Sequence, residues 1–431
     1  MESSWKLTEP KSLCSSTNTS NKRGRPNQWD VSKGGDDEIN SRSFSVYVPP
    51  IFCSNVAQQQ QQDVPLRIIL AIHGYGGKPS QEIRKWQDVA DALNSIIIAP
   101  MGTRSSDSQK LGWNAVECCG DPVLNEIDDL DFVLNGVIEV FLSQLDDFNS
   151  SSYKTSSRMK KNNRVHVIAT GFSNGGFFTS LLGITDDRPS WLVGIIPTGG
   201  YQYDINAYSN TPELAIFMHH GGKDSVVSPN GCCISNEPKQ RKRGSKTNCM
   251  FNIGVKQDTC QSVQSVFQLW SRINGCSSDQ HNDRSLKEGV ISSESQCFVG
   301  KDCIEPTSLC IWTNEGHSWG GTFPGIDMMQ PWMEDVFVRA EKKQLDHEDA
   351  PVSRPNQRTI RVGKSVFLIL LGFIALRVAY LFIKRRNLIK RSSKRKNSED
   401  WHVLKEVFKE EEMTVLPGSA NEHMKIPGSV V

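Results

Sequence analysis

Seven short runs of apolar and β-branched residues, separated by stretches of helical length, constrain this chain more than any other feature. They fall at 44–48, 66–72, 95–99, 165–170, 192–197, 214–219 and 309–313, with helix-like stretches at 81–93, 126–144 and 175–183 between them. A strand that reads as a near-continuous apolar run is buried on both faces, and strands alternating with helices form parallel sheets. The expected fold class is therefore α/β, a mostly parallel sheet with helices on both faces. No repeat of fixed period interrupts the pattern.

The chemistry follows from what stands just after those runs. Gly171-Phe172-Ser173-Asn174-Gly175 directly follows the run at 165–170 and precedes the helix-like 175–183. A serine on a sharp strand-to-helix turn needs small neighbours on both sides. Its hydroxyl then stands above the sheet at a helix N-terminus, where partial positive charge favours a developing anion. A serine needs a base, and the base needs an orienting acid, in the chain order Ser, Asp or Glu, His. Asp224 follows the run at 214–219 and His317 follows the run at 309–313. Both therefore sit where active sites of open α/β sheets form, at the C-terminal ends of strands. Asp204 is the weaker competitor for the acid. His166 reads as a packing residue inside a strand, and His73, His219 and His220 as turn residues near glycine.

An oxyanion formed at Ser173 needs two backbone N–H donors. The first is expected from Asn174. The second is expected from the loop His73-Gly74-Tyr75-Gly76-Gly77, whose glycines let the backbone approach a substrate, and it is assigned to Tyr75.

These residues, taken with others, resemble a family. The opening RSFSVYVPP, the HGYGG loop, Trp113-Asn114-Ala115 leading to Cys118-Cys119-Gly120, IDDLDFV at 127–133, HGGKD at 220–224, LWSRINGC at 269–276 and GHSWGG at 316–321 occur in that order. The series is similar to the secreted esterases related to polyhydroxybutyrate depolymerase, feruloyl esterase and acetyl xylan esterase, over about 300 residues. The resemblance implies an α/β-hydrolase fold with Ser173 as nucleophile, Asp224 as acid and His317 as base. It also implies no metal and no organic cofactor. Trp113 and Trp319, inside its motifs, are expected to contact substrate. Gly320 stands where the family usually has proline.

The remaining segments bear on organisation and partners. Lys and Arg number 49 against 48 Asp and Glu, so a basic nucleic-acid binder is not indicated. Residues 1–40 are polar and expected to be disordered; 41–345 form the esterase domain, with a Cys-rich insertion at about 231–262; 346–364 read as a linker. All 12 cysteines precede residue 311, an even count without metal-ligand spacing, which points to disulfides of unread connectivity. The apolar run 365–383 spans about 28 Å as a helix, enough to cross a bilayer. Eight basic residues follow it between Lys384 and Lys396. Positive-inside bias puts the tail 384–431 in the cytosol and the esterase domain outside or in a lumen. Sequons at Asn18 and Asn149 fit that side. The start carries no apolar run of a signal peptide, which leaves two readings, a missing first segment or a cytosolic main domain, and the cysteines and charge bias favour the first. The expected function is a membrane-anchored serine carboxylic-ester hydrolase, its partners an ester substrate and the membrane. The alternative is a catalytically silent binding module on the same scaffold.

Overall fold

A computed structural model of the protein describes residues 5–8, 27–33, 41–54, 65–106, 108–116, 121–145, 165–231, 261–277, 295–318 and 325–348. They belong to a compact unit, Met1–Asp349; a second unit, Ala350–Val431, lies outside the described residues.

The strands are β1 (Trp5–Leu7), β2 (Asn27–Lys33), β3 (Ser41–Tyr47), β4 (Leu66–Ile72), β5 (Ile96–Pro100), β6 (Thr103–Arg104), β7 (Leu111–Gly112), β8 (Val165–Phe172), β9 (Leu192–Thr198), β10 (Ala215–Gly221), β11 (Ser295–Val299) and β12 (Thr307–Trp312). Ten of them form one sheet in the order β1-β2-β3-β5-β4-β8-β9-β10-β12-β11, while β6 and β7 pair as a separate ribbon. The central pairs from β5 to β12 are parallel, and the antiparallel pairs lie at the two edges. Each of the seven expected strands is present within three residues of its expected bounds.

Among the described residues five helices longer than ten residues flank the sheet: α1 (Pro79–Leu93), α2 (129–145), α3 (Asn174–Ile184), α4 (Val263–Ile273) and α5 (Gly325–Glu348). In α1, Pro79 stands in the first turn, the Gln81 side-chain oxygen accepts the Lys78 N–H at 3.0 Å, and Asn94 closes the helix at φ 50°. Its face of Ile83, Trp86, Val89, Ala90 and Leu93 is buried. The strand side chains alternate between two cores. Ile68, Leu70 and Ile72 join Phe177, Phe178, Phe267 and Trp270 of α3 and α4 on one face. Ile69 and Ala71 join Trp86 of α1 and Met333 and Phe337 of α5 on the other. This period of two against two helical layers makes the sheet doubly covered. Helix α5 is also tied down by charge, Arg67 of β4 pairing with Glu341 at 2.7 Å and Glu334 at 3.1 Å.

The amino-terminal segment corrects the sequence reading. Two strands lie within 1–40, and β2 buries Trp29 and Val31 completely. Only these two residues alternate inward in Gln28-Trp29-Asp30-Val31, so the mean composition hides the strand. Beyond it, the Trp5 indole N–H donates to Asp131 at 2.7 Å, and its ring packs on Phe132 at 5.4 Å. Gly136 of α2 leaves room for it, since a Cβ there would sit 2.8 Å from the indole. At the other end α5 continues to Glu348, past the expected boundary at 345.

Cysteines form disulfides as expected. Cys276 is bonded to Cys303, and Cys297 to Cys310 across the β11–β12 pair. Among the described residues no helix is long and apolar enough to cross a membrane. The expected span 365–383, the linker beyond Glu348, the tail 384–431, residues 232–260 of the Cys-rich insertion, the sequons and the other cysteine pairings lie outside those residues.

Candidate active site

Ser173 lies between β8 and α3 with φ 57° and ψ −122°, a backbone conformation that costs a non-glycine residue energy and is held by its surroundings. The flanking glycines explain how. A Cβ on Gly171 would meet the Gly175 carbonyl oxygen at 2.3 Å, and one on Gly175 would meet the Ile72 and His73 oxygens at 2.5 and 2.6 Å. The turn closes only where no side chain intervenes. The Ser173 N–H is anchored to the Thr198 oxygen at 2.9 Å. Its hydroxyl caps no helical N–H, although serine at a helix start ordinarily does so. The hydroxyl instead meets His317 Nε2 at 2.8 Å.

His317 Nδ1 donates to Asp224 Oδ2 at 2.7 Å. Since a carboxylate only accepts, the proton sits on Nδ1 and Nε2 is left to accept from the serine. Asp224 is itself fixed, because its Oδ1 accepts the N–H groups of Val226 and Val227 at 2.8 Å each. The three residues come from β8, β10 and β12. Strands lie about 4.8 Å apart, so the loop after β12 must reach back across roughly 14 Å to meet β8. Backbone bonds between the two loops set that reach: the Gly222 N–H donates to the Trp312 oxygen at 2.7 Å and the Lys223 N–H to the Glu315 oxygen at 2.8 Å. The His317 ring packs on Phe172, 4.9 Å between centroids.

Histidines read as turn residues have defined places. His220 is buried and donates from Nε2 to the Val227 oxygen at 2.9 Å, bracing the loop that holds Asp224. Burial lowers its pKa, so it serves there as a neutral ring. His73 is fully buried; its Nδ1 donates to the Gly74 oxygen at 2.8 Å and its Nε2 accepts the Gly102 N–H at 2.9 Å. Burial brings its pKa down to about 4. Asp204, the competing acid, instead caps a helical turn by accepting the Asn206 N–H at 2.8 Å.

The HGYGG loop adjoins the nucleophile. A Cβ on Gly74 would lie 3.4 Å from Ser173 Cβ. The Gly76 and Gly77 N–H groups are taken by the Leu111 and Gly74 oxygens, at 2.7 and 2.8 Å. Among the described residues the Tyr75 N–H meets no acceptor. Asn174 opens α3 with its side chain wholly buried, its Oδ1 accepting the Trp113 N–H at 2.8 Å and its Nδ2 donating to the Trp113 oxygen at 3.1 Å.

Two expectations about tryptophan fare differently. Trp113 is not positioned to touch substrate: it is 0% exposed, its indole between Phe178 and His73, with Nε1 donating to the His73 oxygen at 2.8 Å. The expectation rested on a motif of the resembled family, whereas the ring fills the core. Trp319 lies outside the described residues. Sequence reading also missed a buried ion pair. Arg42 meets Asp129 at 2.6 Å, and the other oxygen of Asp129 accepts the Asn114 N–H at 2.6 Å. Burial raises the Asp129 carboxyl and lowers the Arg42 guanidinium, and their contact opposes both shifts. The paired aspartates at 128–129 ahead of a helix were the available signal.

No family profile matches the chain, and no curated protein matches it in sequence. Solved structures similar to it include an acetyl xylan esterase from Aspergillus awamori, at TM-score 0.39 and 14% identity over 71% of this chain and 98% of that one. An S-formylglutathione hydrolase from Agrobacterium tumefaciens follows at TM-score 0.36 and 11% identity, over 74% and 95%. Esterase PE8 has TM-score 0.33 and 14% identity, over 63% and 94%. Likenesses this distant add no weight to the functional reading, which rests on the residues above.

Proposed function

We propose that the chain is a serine carboxylic-ester hydrolase working through an acyl-enzyme. One observation carries the reading: the unbroken relay Ser173–His317–Asp224, with contacts of 2.8 and 2.7 Å. As Ser173 Oγ attacks the ester carbonyl, its proton passes to His317 Nε2 and the carbonyl electrons move onto oxygen. Asp224 holds the ring in the accepting tautomer and balances the imidazolium. The N–H groups of Asn174 and Tyr75 receive the oxyanion, helped by the partial positive charge at the start of α3. Collapse breaks the bond to the alcohol oxygen, which takes the proton from Nε2. Water then attacks the acyl-enzyme by the same route and releases the acid.

The alternative of a silent binding module is disfavoured by this relay, since binding alone requires neither of its two contacts. The family resembled in sequence supports feruloyl, acetyl and hydroxybutyrate esters as the substrates to compare. The reading extends to membrane anchorage. Support comes from the apolar run 365–383 with its basic flank, which suits a single span with the tail cytosolic. The disulfides at Cys276–Cys303 and Cys297–Cys310 suit an extracellular or luminal domain.

Hydrolysis of short-chain p-nitrophenyl esters by the purified chain, beside Ser173→Ala, is the direct test. The wild type should hydrolyse them and the variant should lose the activity. Full activity in a folded Ser173→Ala variant would refute the proposal.

A further inference from the structure

Two loops far apart in sequence must present their N–H groups to one oxygen. The donor of Asn174 belongs to α3, and that of Tyr75 to the loop after β4. A displacement of about 1 Å between such groups costs on the order of 100-fold in rate. The segment 111–114, absent from the relay itself, touches both. The Leu111 oxygen accepts the Gly76 N–H at 2.7 Å, next to Tyr75. Gly112 lies against the Tyr75 ring, where a Cβ would sit 2.9 Å from the ring and 3.5 Å from Asn174 Oδ1. The Trp113 main chain binds the Asn174 carboxamide twice, at 2.8 and 3.1 Å, and its indole N–H binds the His73 oxygen at 2.8 Å. Asn114 is in turn held by Asp129, 2.6 Å from its N–H, and Asp129 by Arg42.

We infer that Trp113, clamped to the Asn174 side chain and to the His73 carbonyl, sets the separation of the two oxyanion donors and is a positioning residue for ester hydrolysis. The inference rests on the proposed esterase reading and deepens it. The Trp113 indole N–H and both ends of the Asn174 carboxamide are taken up inside the protein, by the His73 oxygen and the Trp113 main chain, so neither side chain is offered to substrate. Their effect passes through the backbone they hold. The carboxamide suits this task, since it donates and accepts at once and fills both hydrogen-bonding groups of one residue. The charged pair Arg42 and Asp129 anchors the segment at Asn114.

The test uses the full chain with Trp113→Phe, which keeps an aromatic ring against Phe178 but removes the indole donor, and with Asn174→Ala, which removes the clamp. Steady-state hydrolysis of p-nitrophenyl butyrate is measured beside inhibition by an aliphatic trifluoromethyl ketone. Ser173 Oγ adds to that ketone carbon, the carbonyl electrons move to oxygen and the serine proton goes to His317. The adduct thus carries an oxyanion without a leaving group. The expected result is a kcat lowered about 10- to 100-fold with KM within about twofold, and ketone affinity lowered by the same factor as kcat/KM. Circular dichroism and thermal melting identify which variants are folded, and either folded variant decides the matter. A purely structural role would lower the melting temperature or the active fraction and leave the ketone affinity of the active enzyme unchanged. That outcome, or a folded variant with wild-type kcat, would overturn the inference while leaving the esterase reading intact. A folded wild type without Ser173-dependent hydrolysis would overturn both.

Discussion

Replacing Asp224 by asparagine tests whether the relay works through proton placement and not through packing. The Asp224 side chain is 1% exposed, so the replacement cannot turn into solvent. Its Oδ1 sits between two N–H donors, Val226 and Val227, at 2.8 Å each. A carboxamide must keep its oxygen there, because an NH2 group facing two N–H groups has nothing to donate to. Its Nδ2 then takes the position of Oδ2, 2.7 Å from His317 Nδ1. An amide nitrogen only donates, so Nδ1 must accept and the ring proton moves to Nε2. That proton points at Ser173 Oγ across 2.8 Å, and the base is lost with the shape unchanged. The expected loss in kcat is about 10⁴-fold, roughly 5 kcal/mol of barrier. KM and the urea midpoint should stay near their wild-type values, since the loop bonds to Val226 and Val227 survive. Rates with p-nitrophenyl butyrate and urea unfolding followed by tryptophan fluorescence give both numbers. An Asp224→Asn enzyme keeping more than about a tenth of wild-type kcat would show that the tautomer argument fails.

Two further perturbations probe the frame. Gly175→Ala places a methyl 2.5 and 2.6 Å from the Ile72 and His73 oxygens, both backbone atoms that move only with the oxyanion loop. Overpacking of this kind costs about 1–3 kcal/mol in stability and should lower kcat by about 100-fold; wild-type kinetics would exclude the close packing of those two segments. Burial holds His73 at about 4, below the unfolded value near 6.5. Between these the unfolded chain binds the extra proton, so this contribution to stability is complete above about 6.5 and falls by about 3 kcal/mol as pH drops through 4. Urea midpoints from pH 7 to pH 4 should therefore decline less steeply in His73→Gln than in the wild type, and equal slopes would exclude a buried neutral His73.

What could be read without coordinates was whatever is local. A β-branched run such as Ile96–Ile98 carries its own preference for extended backbone, and burial on both faces leaves it uniformly apolar. The elbow was legible for the same reason: the steric demand at Ser173 falls on Gly171 and Gly175, its near neighbours in sequence. The order of Ser173, Asp224 and His317 followed from strand ends. Tertiary structure decided what depends on distant partners. β1 and β2 carry few apolar residues, and their place at the sheet edge comes from α2, through the cavity at Gly136 and the Asp131 carboxylate, which also binds Lys33 at 2.7 Å. Trp113 read as a substrate contact from its place in the Trp113-Asn114-Ala115 motif. Its burial depends on the His73 and Phe178 rings, about 40 and 65 positions away, and no pattern within its own segment encodes them. The same holds for Arg42 and Asp129. Each is an ordinary charged residue in its own stretch, and only the approach of β3 to α2 buries them together, where neither charge is stable without the other.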